Sequence, residues 1–222
     1  MLSRLAFAAL ILAAAVSGAS GIEALLGDAF VTLPPPAGFC ELTPRYEIEG
    51  YIADNTAKIL KGAGIRLLAI SADCGQLDEM RAYRRRVLDD VALYRAQIAD
   101  LEKPPKQTIA QTCASLRAEN NNAVADDING RLADAIEKLK ASETRFVAVL
   151  AEDKNACYAA TLQKFKSEAG TEKARVAMVA VTILGNRSVN VIHSAIYQNP
   201  DTLGTMLTRL KGNVAALVAA NP

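Results

Sequence analysis

The side chains that could do chemistry are few and far apart. His193 is the only histidine in 222 residues, so any imidazole base or proton shuttle must use it. It alternates with Val189, Val191 and Tyr197, which predicts a packed strand face rather than a solvent-facing base. Ser194 is its neighbour, but adjacent strand residues point to opposite faces, so the two cannot form a nucleophile–base pair. No G-x-S-x-G elbow surrounds any serine. A hydrolase pairing His193 with a carboxylate is the enzyme reading these residues allow. Asp126-Asp127 and Glu152-Asp153 are adjacent carboxylates without the alternating ligand spacing of a calcium loop, so each is expected to be surface charge.

Arg81-Ala82-Tyr83-Arg84-Arg85-Arg86 is the most basic stretch and could hold an anionic headgroup or polymer. Asp78, Glu79, Asp89 and Asp90 flank it and offset its field, so a solvated helix face is expected. Lys61-Gly62-Ala63-Gly64 lacks the pattern of a phosphate loop, and its glycines more simply end a helix. The four cysteines are Cys40, Cys74, Cys113 and Cys157. No CxxC spacing exists among them, which argues for disulfides over a metal site. Three connectivities are open. Cys40–Cys74 and Cys113–Cys157 are favoured because each pair falls within one structural half. Loops of this length would contribute about 3–4 kcal/mol each in the chain-entropy model. No cofactor or metal site is expected.

The cysteine reading depends on compartment, and the first residues speak to that. Arg4 precedes an unbroken apolar run, Leu5 to Val16, which exits through Ser17-Gly18-Ala19. This is the three-part pattern of a cleavable secretory signal over residues 1–19, with the cut expected after Ala19 and a periplasmic or secreted product. The run is too short to span a bilayer comfortably. No transmembrane segment is expected in the mature chain, since the most apolar later stretch, Val176 to Leu184, reads as a strand. Without Arg4 the chain carries 24 basic and 24 acidic side chains, which argues against nucleic acid as a partner. The lack of tryptophan weakens a carbohydrate-stacking role.

The elements that must position these residues alternate between strand and helix. Residues 20–36 are expected to be an extended, proline-rich lead-in, because Pro34-Pro35-Pro36 excludes helix. A short strand follows over residues 38–42. Thr43-Pro44 then signals a helix start, with Ile48, Tyr51, Ile52, Ile59 and Leu60 at helical spacing. Arg66 to Cys74 reads as a strand with Leu68, Ile70, Ala72 and Cys74 on one face. A short polar helix and a strand near Val91 to Ile98 come next.

Pro104-Pro105 opens a helical hairpin inserted at about 105–143. One stripe is Ile109, Cys113 and Leu116; the other is Val124, Ile128, Leu132, Ile136 and Leu139, with Asn120-Asn121-Asn122 as the turn. Strand signals return at Phe146 to Ala151, with a turn at 152–155. Residues 156–166 fit helix by Tyr158, Leu162 and Phe165 and strand by context; strand is chosen. Val176 to Leu184 and Ser188 to Tyr197 form a hairpin around Gly185-Asn186. Asn199-Pro200-Asp201 opens a last helix striped by Leu203, Met206, Leu207, Leu210, Val214, Leu217 and Val218. The fold class is therefore α+β: a mainly antiparallel sheet flanked by helices, in a single domain over 37–222.

The segment Val31-Thr32-Leu33-Pro34-Pro35-Pro36-Ala37-Gly38-Phe39-Cys40 resembles uncharacterised exported proteins of rhizobia and related alphaproteobacteria. So do the Leu67-to-Cys74 strand and the Ala220-Asn221 ending. The element order also resembles the PsbP/Mog1/DcrB fold, a sheet sandwiched by helices, from which the helical insertion departs. These resemblances imply a periplasmic protein and carry no functional residues. The expected function is a non-enzymatic binding or envelope-associated module, acting through an envelope protein or a small ligand. The alternatives are the hydrolase using His193 and a stress-responsive accessory factor of an envelope complex.

Overall fold

The computed structural model describes residues 21–104, 106–119, 143–166, 170–199 and 201–222. Its centre is a seven-stranded, wholly antiparallel sheet in the order β3-β4-β5-β9-β8-β7-β6. The strands are β3 (Phe39–Glu41), β4 (Ile65–Asp73), β5 (Val91–Gln97), β6 (Thr144–Glu152), β7 (Ala156–Lys166), β8 (Glu172–Leu184) and β9 (Arg187–Ile196). Two meanders, β3 to β5 and β6 to β9, are joined where β5 pairs with β9. The fold is α+β, with helices on both faces of the sheet.

Residues 156–166 are a strand, although their apolar spacing also fits a helix. Ala156, Tyr158, Ala160 and Leu162 on one face are buried with β8 in full register beside them. Tertiary pairing thus decides an ambiguous local pattern. The turn between β8 and β9 has Gly185 and Asn186 at φ 53° and 67°, the twist a two-residue hairpin requires.

The lead-in differs from expectation. Only residues 34–36 are extended; before them β1 (Ile22–Leu26) and β2 (Ala29–Leu33) form a separate hairpin. Leu26, Val31 and Leu33 are buried against the main core, so the prolines end a strand instead of opening a loose segment. The hairpin lies with the C-terminal helix α5 (Asp201–Ala220) over one sheet face. Leu203, Met206, Leu210, Val214 and Leu217 of α5 meet Tyr158, Leu162, Val176 and Met178 there. The Asn221 side chain closes the end by accepting from Thr32 N at 2.8 Å and donating to Thr32 O at 2.8 Å, as a neighbouring strand would.

The opposite face carries α1 (Glu47–Gly62) and α2 (Cys74–Arg81) at the β4 end and α4 (Ile109–Glu119) at the β6–β7 end. A short α3 (Ile98–Glu102) follows β5. The second arm and turn of the expected hairpin, Asn120-Asn121-Asn122 and the stripe from Val124 to Leu139, lie outside the described residues, as does Asp126-Asp127.

Three local expectations also change. First, α1 starts at Glu47, not at Thr43-Pro44, because Thr43 O accepts from Tyr46 N in a preceding turn. Its apolar stripe is only partly its buried face: Ile52 packs against the α2 cluster and Leu60 is half-buried, but Ile48, Tyr51 and Ile59 are exposed, and Glu49 is the one fully buried residue. Second, a register shift between Leu67 and Ala69 puts Leu68 against the main core, while Ile70 and Ala72 pack with α2. Third, β4 ends at Asp73, whose side chain caps α2 by accepting from Gln76 N at 3.0 Å, so Cys74 opens the helix.

Glu49 is held by Arg81, with Oε1 at 2.7 Å from Arg81 Nε, and by the Thr43 N–H at 2.8 Å. Removing it strands the Arg81 guanidinium and an amide in a poorly solvated place. Glu49→Ala is expected to cost about 3 kcal/mol in urea unfolding, and Glu49→Gln, which keeps an acceptor, clearly less.

Candidate functional site

The arginine stretch begins inside α2 and ends outside it. Arg84 N donates to Glu79 O at 2.8 Å and Tyr83 N to Met80 O at 2.9 Å, the paired closure of a Schellman turn. That turn needs a left-handed residue, usually glycine, and here it is Tyr83 at φ 57°. Its ring is 96% exposed. The next three arginines therefore leave the helix as a loop running to Leu88, which is buried.

The flanking carboxylates do not neutralise the stretch evenly. Arg81 is taken by Glu49 and Asp78, and its pKa is raised chiefly by the hydrogen bond to Glu49. Arg85 is clamped between Glu79 at 2.8 Å and Asp89 at 3.0 Å, and its pKa is raised chiefly by Glu79. Asp90 accepts from Gln76 Nε2 at 2.6 Å. Arg84 and Arg86 form no ion pair among the described residues.

The sheet then adds what the stretch alone lacks. The end of β7 and the start of β8 reach the same edge and bring Phe165, Lys166, Lys173 and Arg175 across from the loop. Arg175 Nη2 donates to Leu88 O at 3.4 Å, and its guanidinium lies 5.4 Å from the Phe165 ring centre. Between the two walls is an open cleft of about 880 Å³. Among the described residues its lining holds Arg84, Arg85, Arg86, Lys166, Lys173 and Arg175 against Glu79 and Asp89, both already spent on Arg85. Glu172, opposite Lys166 in the β7–β8 register, offsets part of that charge, and the remaining surplus favours anions.

The other candidates are structural. His193 is buried, its ring stacked on Phe39 at 5.6 Å. The register row from His193 runs through the small Ala92 and Ser71 to Glu41, and Phe39, two residues along β3 from Glu41, reaches the imidazole diagonally over them. The Arg209 guanidinium covers the far side of Phe39 at 5.3 Å. His193 Nε2 is 3.3 Å from Asn213 Nδ2, and Asn213 Oδ1 is 2.7 Å from Tyr94 Oη, which also meets Pro34 O. One phenolic proton cannot serve two acceptors. Turning the amide lets Tyr94 donate to Pro34, Asn213 to Tyr94, and a neutral His193 to Asn213. No carboxylate is in hydrogen-bond contact with His193, and Ser194 points the other way, its Oγ 3.4 Å from Val91 O.

Glu152 pairs with Arg117 at 3.0 Å, and Asp153 accepts from the Asn155 and Ala156 amides in its turn. Gly64 ends α1 at φ 72°, and its carbonyl accepts from Ile98 N. Disulfides join Cys40 to Cys74 and Cys113 to Cys157. The first ties β3 to the start of α2, below the arginine loop; the second ties α4 to β7. Among the described residues, no cluster of three or more His, Cys, Asp or Glu could hold a metal ion, and no helix is long and apolar enough to cross a membrane.

Comparison with known protein families, curated proteins and solved structures finds no match. The site therefore stands on its own geometry. Sequence reading picked out Arg81 to Arg86 but missed Phe165, Lys166, Lys173 and Arg175. Their only sequence signal is a basic hairpin tip some 80 residues away.

Two outcomes follow from this geometry. Burial, then the Arg209 charge, pushes the His193 pKa down from 6.5 to about 4. Above pH 6.5 the imidazole is neutral in both states and contributes nothing. As pH falls from 6.5 to 4 the unfolded chain takes the proton first, so stability is lost, by about 3 kcal/mol. Urea unfolding at pH 7 and pH 4 should show His193→Leu gaining about that much relative to the parent. At the Schellman turn, Tyr83→Gly removes the left-handed strain and should raise stability by about 1 kcal/mol in the same assay.

Proposed function

We propose that this protein is an exported, non-enzymatic binding module of the bacterial envelope, and that the basic cleft between residues 84–89 and the β7–β8 edge is where it binds an anionic ligand. The observation that carries this reading is the charge imbalance of the cleft: among the described residues its lining has six cations and two carboxylates, with both carboxylates engaged by one arginine. The chain as a whole is nearly neutral, so the imbalance is local. A cleft of this size and openness suits several phosphate or carboxylate groups presented together rather than a single enclosed small molecule.

Three features support the envelope location. The apolar run behind Arg4 has the form of a cleavable leader ending at Ala19. Two disulfides suit an oxidising compartment. The likeness of the Val31-to-Cys40 segment to exported alphaproteobacterial proteins points the same way. The non-enzymatic reading rests on His193, which is buried, neutral at physiological pH and committed to Asn213 and Phe39.

Calorimetric titration with short-chain polyphosphate tests the cleft. The parent protein should bind, and its affinity should fall steeply as salt rises, because bound phosphates displace counterions. Arg84→Ser/Arg86→Ser/Lys173→Ser should abolish most of that binding and flatten the salt dependence. Undiminished binding by the triple variant would place the anion elsewhere and overturn the reading.

A further inference from the structure

We propose that the anionic ligand of the cleft is a phospholipid bilayer surface, on which the protein docks through the loop from Tyr83 to Val87, with the Tyr83 ring seated among the headgroups. This rests on the cleft being the anion site. It adds an account of side chains that a dissolved anion would leave idle.

Tyr83 is 96% exposed, and no hydrogen bond or ring contact engages its side chain among the described residues. Its backbone is held in a left-handed turn that a glycine would occupy without strain, so the turn projects an aromatic ring at a cost to folding. Val87, four residues on, is 46% exposed and lines the cleft. Arg84, Arg86, Lys166, Lys173 and Arg175 line the cleft with Val87, none of them in an ion pair among the described residues.

An aromatic tip ringed by cations is the arrangement that a bilayer interface accepts. An amphipathic ring settles at headgroup depth, while arginines and lysines meet the lipid phosphates around it. Anionic lipid supplies the complementary charge over an area as wide as the cleft. A dissolved polyanion would fill the cleft and leave the tyrosine in water. The cations give selectivity for anionic over neutral lipid and salt sensitivity; the ring gives depth.

The test uses the processed, exported protein and sedimentation with vesicles of phosphatidylcholine alone or with 30% phosphatidylglycerol, roughly the charge density at which a surface potential builds. Expected is binding to the anionic vesicles only, lost at high salt. Arg84→Ser/Arg86→Ser should weaken it by at least about tenfold, since each removed cation costs about fivefold near such a surface. The chain has no tryptophan, so Tyr83→Trp introduces a single reporter. Its emission should shift to the blue on anionic vesicles and stay unchanged with neutral vesicles or polyphosphate.

Tyr83→Gly keeps the turn and should remain folded while losing vesicle affinity, which separates docking from stability. Polyphosphate binding without vesicle binding overturns the bilayer proposal and leaves the anion cleft standing. Failure to bind either overturns both. Equal binding to neutral vesicles, an unshifted tryptophan, or binding to alginate in place of vesicles also overturns it, the last in favour of an acidic polysaccharide.

Discussion

The basic cleft of this molecule depends on one pairing, β5 against β9. Val91 stands opposite Ser194 and Leu93 opposite Ile192, which joins two meanders that are far apart in sequence. Because β8 pairs with β9 in turn, with Arg175 opposite Ile196, the start of β8 emerges on the same edge as the loop that leads into β5. The cleft is the consequence. Among the described residues the loop wall lends three arginines against two carboxylates and the hairpin wall three cations, and the sheet register sets them face to face.

That register is fixed by burial. On one face Tyr94, Val191, Ala180 and Tyr158 run across four strands beneath α5, and a slip by one residue would turn all of them to the other side. The Tyr94–Asn213–His193 chain adds a polar condition in the same layer. Asn213 of α5 links Tyr94 to His193 Nε2 only when α5 lies where it does, while His193 Nδ1 is buried without a hydrogen-bond partner among the described residues. The one histidine, which the sequence offers as a base, is in this setting packed against Phe39 and hydrogen-bonded to Asn213, with no carboxylate in hydrogen-bond contact among the described residues.

The charge pattern shows how a nearly neutral chain can carry a strong local field. Acidic residues flank the arginine stretch in sequence, which by itself predicts cancellation. In space they are consumed unequally: Glu49 and Asp78 go to Arg81, Glu79 and Asp89 go to Arg85, and Asp90 is held by Gln76. Arg84 and Arg86 are left over because the Schellman turn at Tyr83 takes them off the helix, so Arg86 loses the i,i+4 spacing at which a helix would pair it with Asp90.

The sequence by itself determined whatever depends on neighbours along the chain. The mixed strand and helix order, the Gly185-Asn186 hairpin and the stripe of the last helix follow from local periodicity and turn chemistry, which act within a few residues. It also isolated His193, the four cysteines and the arginine run as the side chains to watch. Tertiary structure decided the rest, and for reasons of range. Residues 156–166 became a strand because β8 offered a full ladder of partners. The lead-in became a hairpin because Leu26, Val31 and Leu33 had a core to enter. Ile48, Tyr51 and Ile59 stayed exposed because α1 is anchored by Ile52 and Ala53 against the α2 cluster and by the buried Glu49 with Arg81. The basic cleft is legible only in three dimensions, since its two halves are some 80 residues apart and meet through a strand pairing that no local signal encodes.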